Sequence, residues 1–213
     1  FWHQVVNNRT YAIGGNSIRE HFGPENTEKL GILTAETCNT FNMLKLTELL
    51  FDWNPNAHYY DYYERALYNH ILASQDPDSG MKTYFVSTEP GHFKVYHSHD
   101  NSFWCCTGTG MENPARYQRR IFEQFDNTLY VHLFIGAEGH FNNGNTIIKQ
   151  KTSFPYQQSS RIKLVKADDT FTRIAIRKPF WVKKPVEITI NGKKVTPLEE
   201  NGYMYINRNW NTG

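Results

Sequence analysis

Two of the three cysteines in this chain are direct neighbours, in the stretch NSFWCCTGTGMEN. The Cα atoms of adjacent residues lie about 3.8 Å apart, whereas a relaxed disulfide needs about 4.4 to 6.8 Å. A bond between Cys105 and Cys106 would therefore be strained. The third cysteine, Cys38, can pair with only one of them, which leaves a free thiol. Because thiolates are preferred zinc ligands, this pattern indicates a metal site rather than a simple disulfide.

A carboxylate stands two residues before the third cysteine, in the stretch TAETCNTFNML. Side chains two residues apart project from opposite sides of a helix but from the same side of an extended segment. Glu36 and Cys38 can therefore bind one metal ion only if ETC is extended or lies at the very start of a helix. A helix that begins near Asn39 or Thr40, both capable N-caps, meets this condition. The candidate zinc ligands are Glu36, Cys38, Cys105 and Cys106.

A second carboxylate, Glu20, follows the glycine pair of the stretch GGNSIREHFGP, which we expect to be a loop. Catalytic groups often lie on such loops, although most glutamates are only solvated surface charges. The stretch GHFKVYHSHD adds three histidines shortly before the adjacent cysteines, and we take His92 as a candidate substrate contact. His97 and His99 would share one face of an extended segment, so a second metal site is the alternative to local hydrogen bonds.

The composition is that of a globular chain with balanced charge. The 213 residues are 39% hydrophobic and 15% aromatic, and 23 basic against 21 acidic residues leave a net charge of +2. This balance argues against nucleic acid or an anionic membrane as the main partner, and no apolar run reaches the roughly 20 residues of a membrane span. The chain begins in a helical pattern without an initiator Met, so we expect the natural N-terminus to lie upstream.

The elements that must position these residues change in type along the chain. Helical spacing of apolar residues predicts a first helix from Trp2 to the breaker IGGNS, where Gly14 and Gly15 can cap it. It predicts further helices over FNMLKLTELLF, AHYYDYYERALYNHILASQ and NPARYQRRIFEQF, with short strands at KTYFVS and HFKVY. Later, the runs TLYVHLFIG, NTIIKQK, RIKLVKA, FTRIAIR, VEITING and GYMYIN, split by turn residues, predict an antiparallel β-sandwich. We therefore predict an α+β multidomain fold, with a helical domain at 1–125 and a β-domain at 126–213.

Five stretches of the chain resemble, in their order, glycoside hydrolase family 127 and its close relatives, the zinc-dependent β-L-arabinofuranosidases. They are NNRTYAIGGNSIREHFGP, AETCNTFNMLKLTELLF, YYDYYERALYNHILASQDPDSGM, TYFVSTEPGHFKVY and NSFWCCTGTGMENPARY. The resemblance covers nearly the whole helical half and is specific, because ETCNT and WCC follow the glycine-loop glutamate in the family's order. It implies that residues 1–125 are the C-terminal part of an (α/α)6 barrel, followed by a β-sandwich.

The resemblance also implies roles for single residues. By position, the residues that match the family's zinc ligands are Glu36, Cys38, Cys105 and Cys106. Cys105 also matches the nucleophile, Glu20 the general acid/base, and Tyr84 a sugar-contacting tyrosine. The implied activity is that of a retaining glycoside hydrolase that releases terminal β-L-arabinofuranose from plant-type glycans. Zn²⁺ is the implied cofactor, and an arabinose-containing oligosaccharide is the implied substrate.

Two other functions stay open at the level of the sequence. The protein could be a non-catalytic carbohydrate-binding protein with a structural zinc, because sites with four protein ligands are usually structural. It could also be an inactive part of the enzyme, since the chain supplies about four or five of the twelve helices of such a barrel. Uncovered apolar helix faces would then favour pairing with another copy of the chain. The cysteines themselves could be buried, inert thiols.

Overall fold

The computed structural model describes residues 1–27, 29–168 and 171–213, which form a mixed α+β fold. The chain divides into two compact units. The helical unit comprises Phe1–Trp53 and Asp61–Tyr117, and the β-unit comprises Asn54–Tyr60 and Gln118–Gly213. Within the described residues, no helix combines the length and the apolar character that a membrane span requires.

The described residues form four α-helices, and a two-stranded hairpin lies between the first and the second. The helices are α1 (Trp2–Asn8), α2 (Thr37–Trp53), α3 (Ala57–Ala66) and α4 (Cys105–Arg116). Helix α1 ends at Asn8, so the predicted end at Gly14 and Gly15 is wrong. A π-helix (Leu67–Ile71) and a 3-10 turn (Leu72–Ser74) continue α3. Strands β1 (Ser17–Ile18) and β2 (His21–Phe22) pair antiparallel, so their connection is a two-residue turn that contains Glu20.

Helix α2 is the element against which the other parts of the helical unit pack. Its buried apolar side chains include Phe41, Met43, Leu44 and Phe51. From α1, the Trp2 indole N–H donates to Thr47 Oγ1 at 2.8 Å. At the end of α4, Arg116 Nη2 donates to both carboxylate oxygens of Glu48, at 2.8 and 2.9 Å. This largely buried ion pair holds α4 against α2. It thereby helps to fix the cysteines at the N-termini of the two helices relative to one another.

Helix α2 begins at Thr37, so the predicted start at Asn39 or Thr40 is wrong. Its first N–H groups bond to distant segments and need no local N-cap side chain. The N–H of residue 36 donates to Ser17 Oγ at 2.7 Å, and that of Thr37 donates to the Tyr84 carbonyl at 3.0 Å. The condition set by the sequence is still met, because ETC lies at the very start of the helix.

Two other sequence-based predictions are wrong in detail. The stretches KTYFVS and HFKVY form isolated β-bridges, such as that between Glu36 and Phe85, instead of strands. Helix α4 begins at Cys105 and ends at Arg116, and Phe122–Phe125 is strand β3 instead of the end of a helix. Pairing with the next strand along its whole length explains why this segment is extended, since such contacts override local helical spacing.

The β-unit consists of strands joined mostly by short turns. After β3, its strands are β4 (Thr128–Val131), β5 (Ala137–Phe141), β6 (Thr146–Thr152), β7 (Ser160–Lys166), β8 (Arg173–Arg177), β9 (Ile188–Ile190), β10 (Lys193–Val195), β11 (Leu198–Glu200) and β12 (Tyr203–Asn207). One sheet has the order β11-β12-β8-β4-β3, a second has the order β5-β6-β7, and β9 pairs with β10.

The predicted all-antiparallel arrangement is wrong at one pair of strands. Strands β4 and β8 run parallel, with Leu129 opposite Ile174. Both side chains are buried, so burial of apolar surface between distant segments accounts for the pairing. The (α/α)6 barrel, the β-sandwich and the pairing with another copy of the chain stay predictions.

Candidate metal and catalytic site

The four predicted metal ligands lie in one cluster at the N-termini of α2 and α4. Glu36 directly precedes α2, and Cys38 lies in its first turn. The two adjacent cysteines open α4. The ligand atoms of the four residues all lie within 4.8 Å of one another. Two segments that are distant in the sequence thus form a single site.

The donor atoms and their spacing fit a tetrahedral metal ion. The Cys106 thiol donates to Glu36 Oε1 at 3.8 Å, and the Sγ atoms of Cys105 and Cys106 are 3.9 Å apart. Tetrahedral ligands at metal–sulfur distances near 2.3 Å stand roughly 3.8 Å apart, and thiolates favour zinc over magnesium or calcium. The cluster could therefore hold a metal ion. In the described part of the chain it is the only group of three or more His, Cys, Asp or Glu side chains that could.

The acidic groups of the cluster shift one another's pKa. Burial raises the pKa of Glu36 to about 7, and the nearby Cys38 and Glu20 add to the shift. Hydrogen bonding with Cys106 lowers the pKa of Cys38 to about 6. The same interaction, together with burial, raises the pKa of Cys106 above its ordinary value. A bound cation would favour the ionised form of every ligand, because side chains bind metals in their deprotonated state.

Tyr84 joins the second predicted carboxylate to the exposed cysteine. Its hydroxyl donates a short hydrogen bond to Glu20 Oε1 and lies 3.4 Å from Cys105 Sγ. The contact with Cys105, followed by that with Glu20, raises the pKa of Tyr84, so the hydroxyl keeps its proton. Cys105 is exposed, whereas Cys38 and Cys106 are buried. One hydroxyl thus bridges a carboxylate and a thiol that solvent can reach.

The backbone of the β1–β2 turn sets the position of Glu20. The turn consists of Arg19 and Glu20, and Arg19 has a φ of +54°, in the left-handed region that tight hairpin turns use. The Arg19 N–H donates to the Leu33 carbonyl at 2.6 Å, which ties the turn to the segment before Glu36. This hydrogen bond links the turn that carries Glu20 to the segment that leads into Glu36, so the positions of the two carboxylates are coupled.

A cavity of about 300 Å³ opens beside the cluster. Its lining includes Glu36 and Cys38 and, along α2, Asn39, Asn42, Met43 and Leu46. Amide groups next to apolar side chains are the surroundings that a small polar ligand with apolar faces requires, and the volume is at the small end for ligand pockets. The cavity therefore suits a ligand of the size of a single sugar ring.

His92 lies in an exposed turn. Its ring stacks on that of Phe93 with the centroids 5.0 Å apart, and its backbone N–H donates to the Glu89 carbonyl at 3.2 Å. Among the contacts of the described residues, none joins His92 to the four-residue cluster. Its role as a substrate contact stays a prediction.

Thr109 belongs to the site and was missed in the sequence. Its hydroxyl lies 3.3 Å from Cys38 Sγ and helps to lower the pKa of that thiol. Thr109 stands four residues after Cys105, and residues four apart share one face of a helix. The spacing in WCCTGT would have placed Thr109 on the same helix face as Cys105, but the helix was predicted to begin only at NPARY.

The chain resembles one family of enzymes over most of its length. Residues 1–119 match the sequence model described as β-L-arabinofuranosidase, GH127 catalytic domain, and residues 128–213 match the GH127 middle domain. The chain is also 27% identical to the non-reducing end β-L-arabinofuranosidase of Bifidobacterium longum subsp. longum. That match covers 97% of this chain and 34% of the relative.

Solved structures with the same fold bear GH127 names as well. The GH127 β-L-arabinofuranosidase Ara127N-Se of Geobacillus stearothermophilus T6 aligns with a TM-score of 0.80 at 25% identity, over 100% of this chain and 36% of its own. The GH127 β-arabinofuranosidase BT3674 shares the fold, with a TM-score of 0.87 at 21% identity over 100% of this chain and 37% of its own. The chain spans about a third of the length of these relatives.

Proposed function

Because this chain belongs to the GH127 β-L-arabinofuranosidase family, we propose that it carries the catalytic site of a retaining glycoside hydrolase. The proposed reaction releases terminal β-L-arabinofuranose from plant-type glycans. The observation that carries the proposal is the Tyr84 hydroxyl, which contacts both the Glu20 carboxylate and the Cys105 thiol. A site that only bound a structural metal would need neither an acid nor an exposed thiol at this place.

In the first step, Cys105 Sγ attacks the anomeric carbon of the terminal sugar. Glu20 donates a proton to the departing glycosidic oxygen as the carbon–oxygen bond breaks and the carbon–sulfur bond forms. The paired catalytic groups of retaining glycosidases stand about 5 to 5.5 Å apart. The shared Tyr84 hydroxyl keeps Glu20 Oε1 and Cys105 Sγ within roughly 6 Å, the length of two hydrogen bonds, which supports this pairing.

In the second step, the Glu20 carboxylate takes a proton from a water molecule. The water oxygen attacks the anomeric carbon, the carbon–sulfur bond breaks, and Cys105 leaves as a thiolate. Two displacements at the same carbon restore its original configuration. Glu20 ends the cycle protonated, ready for the next glycosidic bond.

The residues that would hold a zinc ion are Glu36, Cys38, Cys105 and Cys106. Bound zinc keeps a thiol ionised at a pH at which a free thiol, with a pKa near 8.5, is mostly protonated. The three ligands other than Cys105 belong to the N-termini of α2 and α4 and orient the attacking sulfur. Cys105, the exposed member, is the ligand that a sugar can reach.

The alternative function is that of a non-catalytic carbohydrate-binding protein. The observation in its favour is that all four positions of the cluster are protein groups, which is typical of structural zinc sites. Such a protein would bind zinc and sugar without turnover, so activity separates the two functions.

Hydrolysis of p-nitrophenyl β-L-arabinofuranoside by the purified protein tests the proposal. We expect Cys105→Ser to abolish turnover and Glu20→Gln to lower kcat/KM by about 10² to 10⁴, the usual contribution of a general acid. Glu112→Gln is the matched control, because Glu112 is an exposed carboxylate on α4. Turnover that survives Cys105→Ser would contradict the thiolate mechanism, and zinc binding without any turnover would favour a binding protein or an inactive part of the enzyme.

A further inference from the structure

The residue directly before the ligand Glu36 has an unusual backbone conformation. Ala35 is fully buried and has a φ of +50°. Residues with a Cβ rarely adopt this left-handed conformation, which persists only where the surroundings hold it in place. The Ala35 N–H donates to the Ser17 carbonyl at 2.9 Å, and the Ala35 carbonyl accepts from the Val86 N–H at 3.2 Å. Both sides of the turn are thus anchored.

The turn at Ala35 determines where two of the four ligands lie. Directly after it, Glu36 pairs with Phe85 in an isolated β-bridge, and α2 begins at the next residue. Cys38 follows in the first turn of that helix. A change of backbone conformation at Ala35 would therefore redirect the carboxylate and displace the thiol relative to α4.

His70 contacts this turn from the π-helix. Its ring is fully buried, and its Nδ1 lies 2.9 Å from the hydroxyl of Thr40, in the first turn of α2. Gly15 lies between the ring and the turn. A Cβ atom on Gly15 would come within 2.4 Å of the Ala35 Cβ and within 3.2 Å of His70 Cε1. The imidazole, the glycine and the left-handed residue are therefore packed without spare room.

Two features of His70 are not explained by packing alone. Its Nε2 is buried and has no hydrogen-bond partner in the part of the chain that the structure describes. Buried polar atoms without a partner are rare, and an apolar side chain would fill the same space without that cost. His70 also lies on a π-helix, an irregularity that often occurs at functional sites.

We propose that His70 is a positioning residue for the metal centre: it holds the left-handed turn at Ala35 and the first turn of α2. The imidazole fixes Thr40 through Nδ1 and packs beside Gly15 so closely that even an added Cβ there would come within 3.2 Å of its Cε1. The Glu36 carboxylate and the Cys38 thiol are thereby directed at one point. This inference rests on the proposed function, since it requires that the cluster binds a metal ion.

Zinc affinity of the purified protein, measured by competition with a chromophoric chelator, tests the proposal. The variants are His70→Leu, which removes both ring nitrogens, and Thr40→Val, which removes the partner of Nδ1. The matched control is Thr47→Val, because Thr47 is also fully buried on α2 and also contacts a ring nitrogen, that of Trp2. Urea unfolding of the metal-free proteins measures the loss of stability of each variant separately.

We expect His70→Leu and Thr40→Val to weaken zinc binding by about 10- to 100-fold, the usual effect of residues that orient metal ligands. His70→Asn keeps a polar atom near Thr40 and should restore part of the affinity. Thr47→Val should lower stability but leave the zinc affinity unchanged. If His70→Leu does not fold, the zinc affinities of Thr40→Val and Thr47→Val are compared. A loss of affinity in Thr40→Val alone supports the proposal, and equal affinities overturn it.

Two negative outcomes can be told apart. If the unaltered protein binds zinc and both Thr40→Val and His70→Leu bind it equally well, the role of His70 is overturned and the proposed function stands. If the unaltered protein binds no zinc, the metal-dependent function is itself contradicted, and the role of His70 falls with it.

Discussion

The helical unit and the β-unit use left-handed backbone conformations differently. In the described β-unit, the non-glycine residues with positive φ are Asp126, Asn142, Asn143, Asn191 and Asn201. Asp and Asn tolerate this conformation because their short polar side chains bond locally. In the helical unit, Asn26 is a case of the same kind, but Arg19 and Ala35 adopt the conformation without that help. Each of the latter two directly precedes a carboxylate of the candidate site, so backbone strain is concentrated where we place the function.

The fully buried histidines of the two units differ in a similar way. In the β-unit, His132 Nδ1 lies 2.7 Å from the Tyr203 hydroxyl and Nε2 lies 3.1 Å from Glu123 Oε2. In the helical unit, Nδ1 of His70 lies 2.9 Å from the Thr40 hydroxyl, whereas Nε2 makes no hydrogen bond of ordinary geometry within the described residues, and the imidazole otherwise interacts only with the Ala35 backbone. A satisfied histidine is explained by the stability of its core. An incompletely satisfied one calls for another reason, and the proposed role in positioning the candidate metal ligands provides one.

The contrast between His132 and His70 is tested first by His132→Leu, for which we expect the largest change in the free energy of unfolding. The substitution removes the hydrogen bonds of His132 with Glu123 and Tyr203, and each buried polar group that loses a hydrogen bond costs about 1 to 3 kcal/mol. We expect the free energy of unfolding in urea to fall by the sum of these costs and the zinc affinity of the folded protein to stay the same. A loss of zinc affinity would show that the β-unit also positions the ligands, against the contrast drawn above.

The pH dependence of stability should reveal His70. Burial lowers the pKa of its imidazole to about 4, and the backbone of Ala35 opposes part of the shift. The unfolded chain, with a histidine pKa near 6.5, takes up the proton first. The contribution of His70 to stability is therefore constant above about pH 7 and falls as the pH drops from 6.5 toward 4, by about 3 kcal/mol at most.

The control for this pH effect is His70→Asn, which cannot be protonated in that range. We expect the difference in unfolding free energy between the unaltered protein and His70→Asn to shrink as the pH falls from 7 to 4. Parallel curves for the two proteins would mean that the imidazole of His70 takes up its proton equally well in the folded and unfolded states.

Two glycine substitutions should separate stability from ligand placement. A Cβ on Gly15 would meet the Ala35 Cβ at 2.4 Å, and a Cβ on Gly202 would meet the Ala57 Cβ at 2.5 Å within the β-unit. Overpacking of this kind costs about 1 to 3 kcal/mol. We expect Gly15→Ala and Gly202→Ala both to lower the free energy of unfolding. Zinc affinity should fall only in Gly15→Ala, and an equal loss in both would refute the assignment.

The smallest effect is expected from removing the strain at Ala35. Glycine adopts positive φ without a steric cost, although it also gains entropy in the unfolded chain. We expect Ala35→Gly to raise the free energy of unfolding by up to about 1 kcal/mol. Asn191→Gly, at a φ of +49° in a β-unit turn, should gain less. A loss of stability in Ala35→Gly would mean that the buried methyl group of Ala35 contributes more to stability than its left-handed backbone costs.

Residue types alone were sufficient to single out the four candidate ligands, and apolar spacing was sufficient to predict the change from helices to strands. Adjacent cysteines that cannot form a relaxed disulfide, together with the ETC spacing, pointed to the four residues that the fold brings together. The alternating runs that became β4, β6, β7, β8 and β12 were also predicted. Such features depend on chemistry or periodicity within a few residues, which the sequence displays directly.

What could not be predicted depends on partners distant in the sequence. Helix α2 begins at Thr37 because the carbonyl of Tyr84 accepts its N–H, and no local residue signals that bond. An alanine carries no sign of a left-handed conformation, so the turn at Ala35 was invisible. The parallel pairing of β4 with β8 likewise depends on long-range burial. The catalytic roles of Glu20 and Cys105 came from the family resemblance and stay predictions.

The most direct test of the thiolate mechanism is to look for the sugar on Cys105. The purified protein is mixed with p-nitrophenyl β-L-arabinofuranoside, quenched in acid within the first turnovers, digested and analysed by mass spectrometry. The mechanism predicts a pentosyl group on the peptide that contains Cys105, and a larger fraction of it if the breakdown of the thioglycoside is slow. Steady turnover with the pentosyl group on a carboxylate such as Glu36, or on no residue at all, would contradict it.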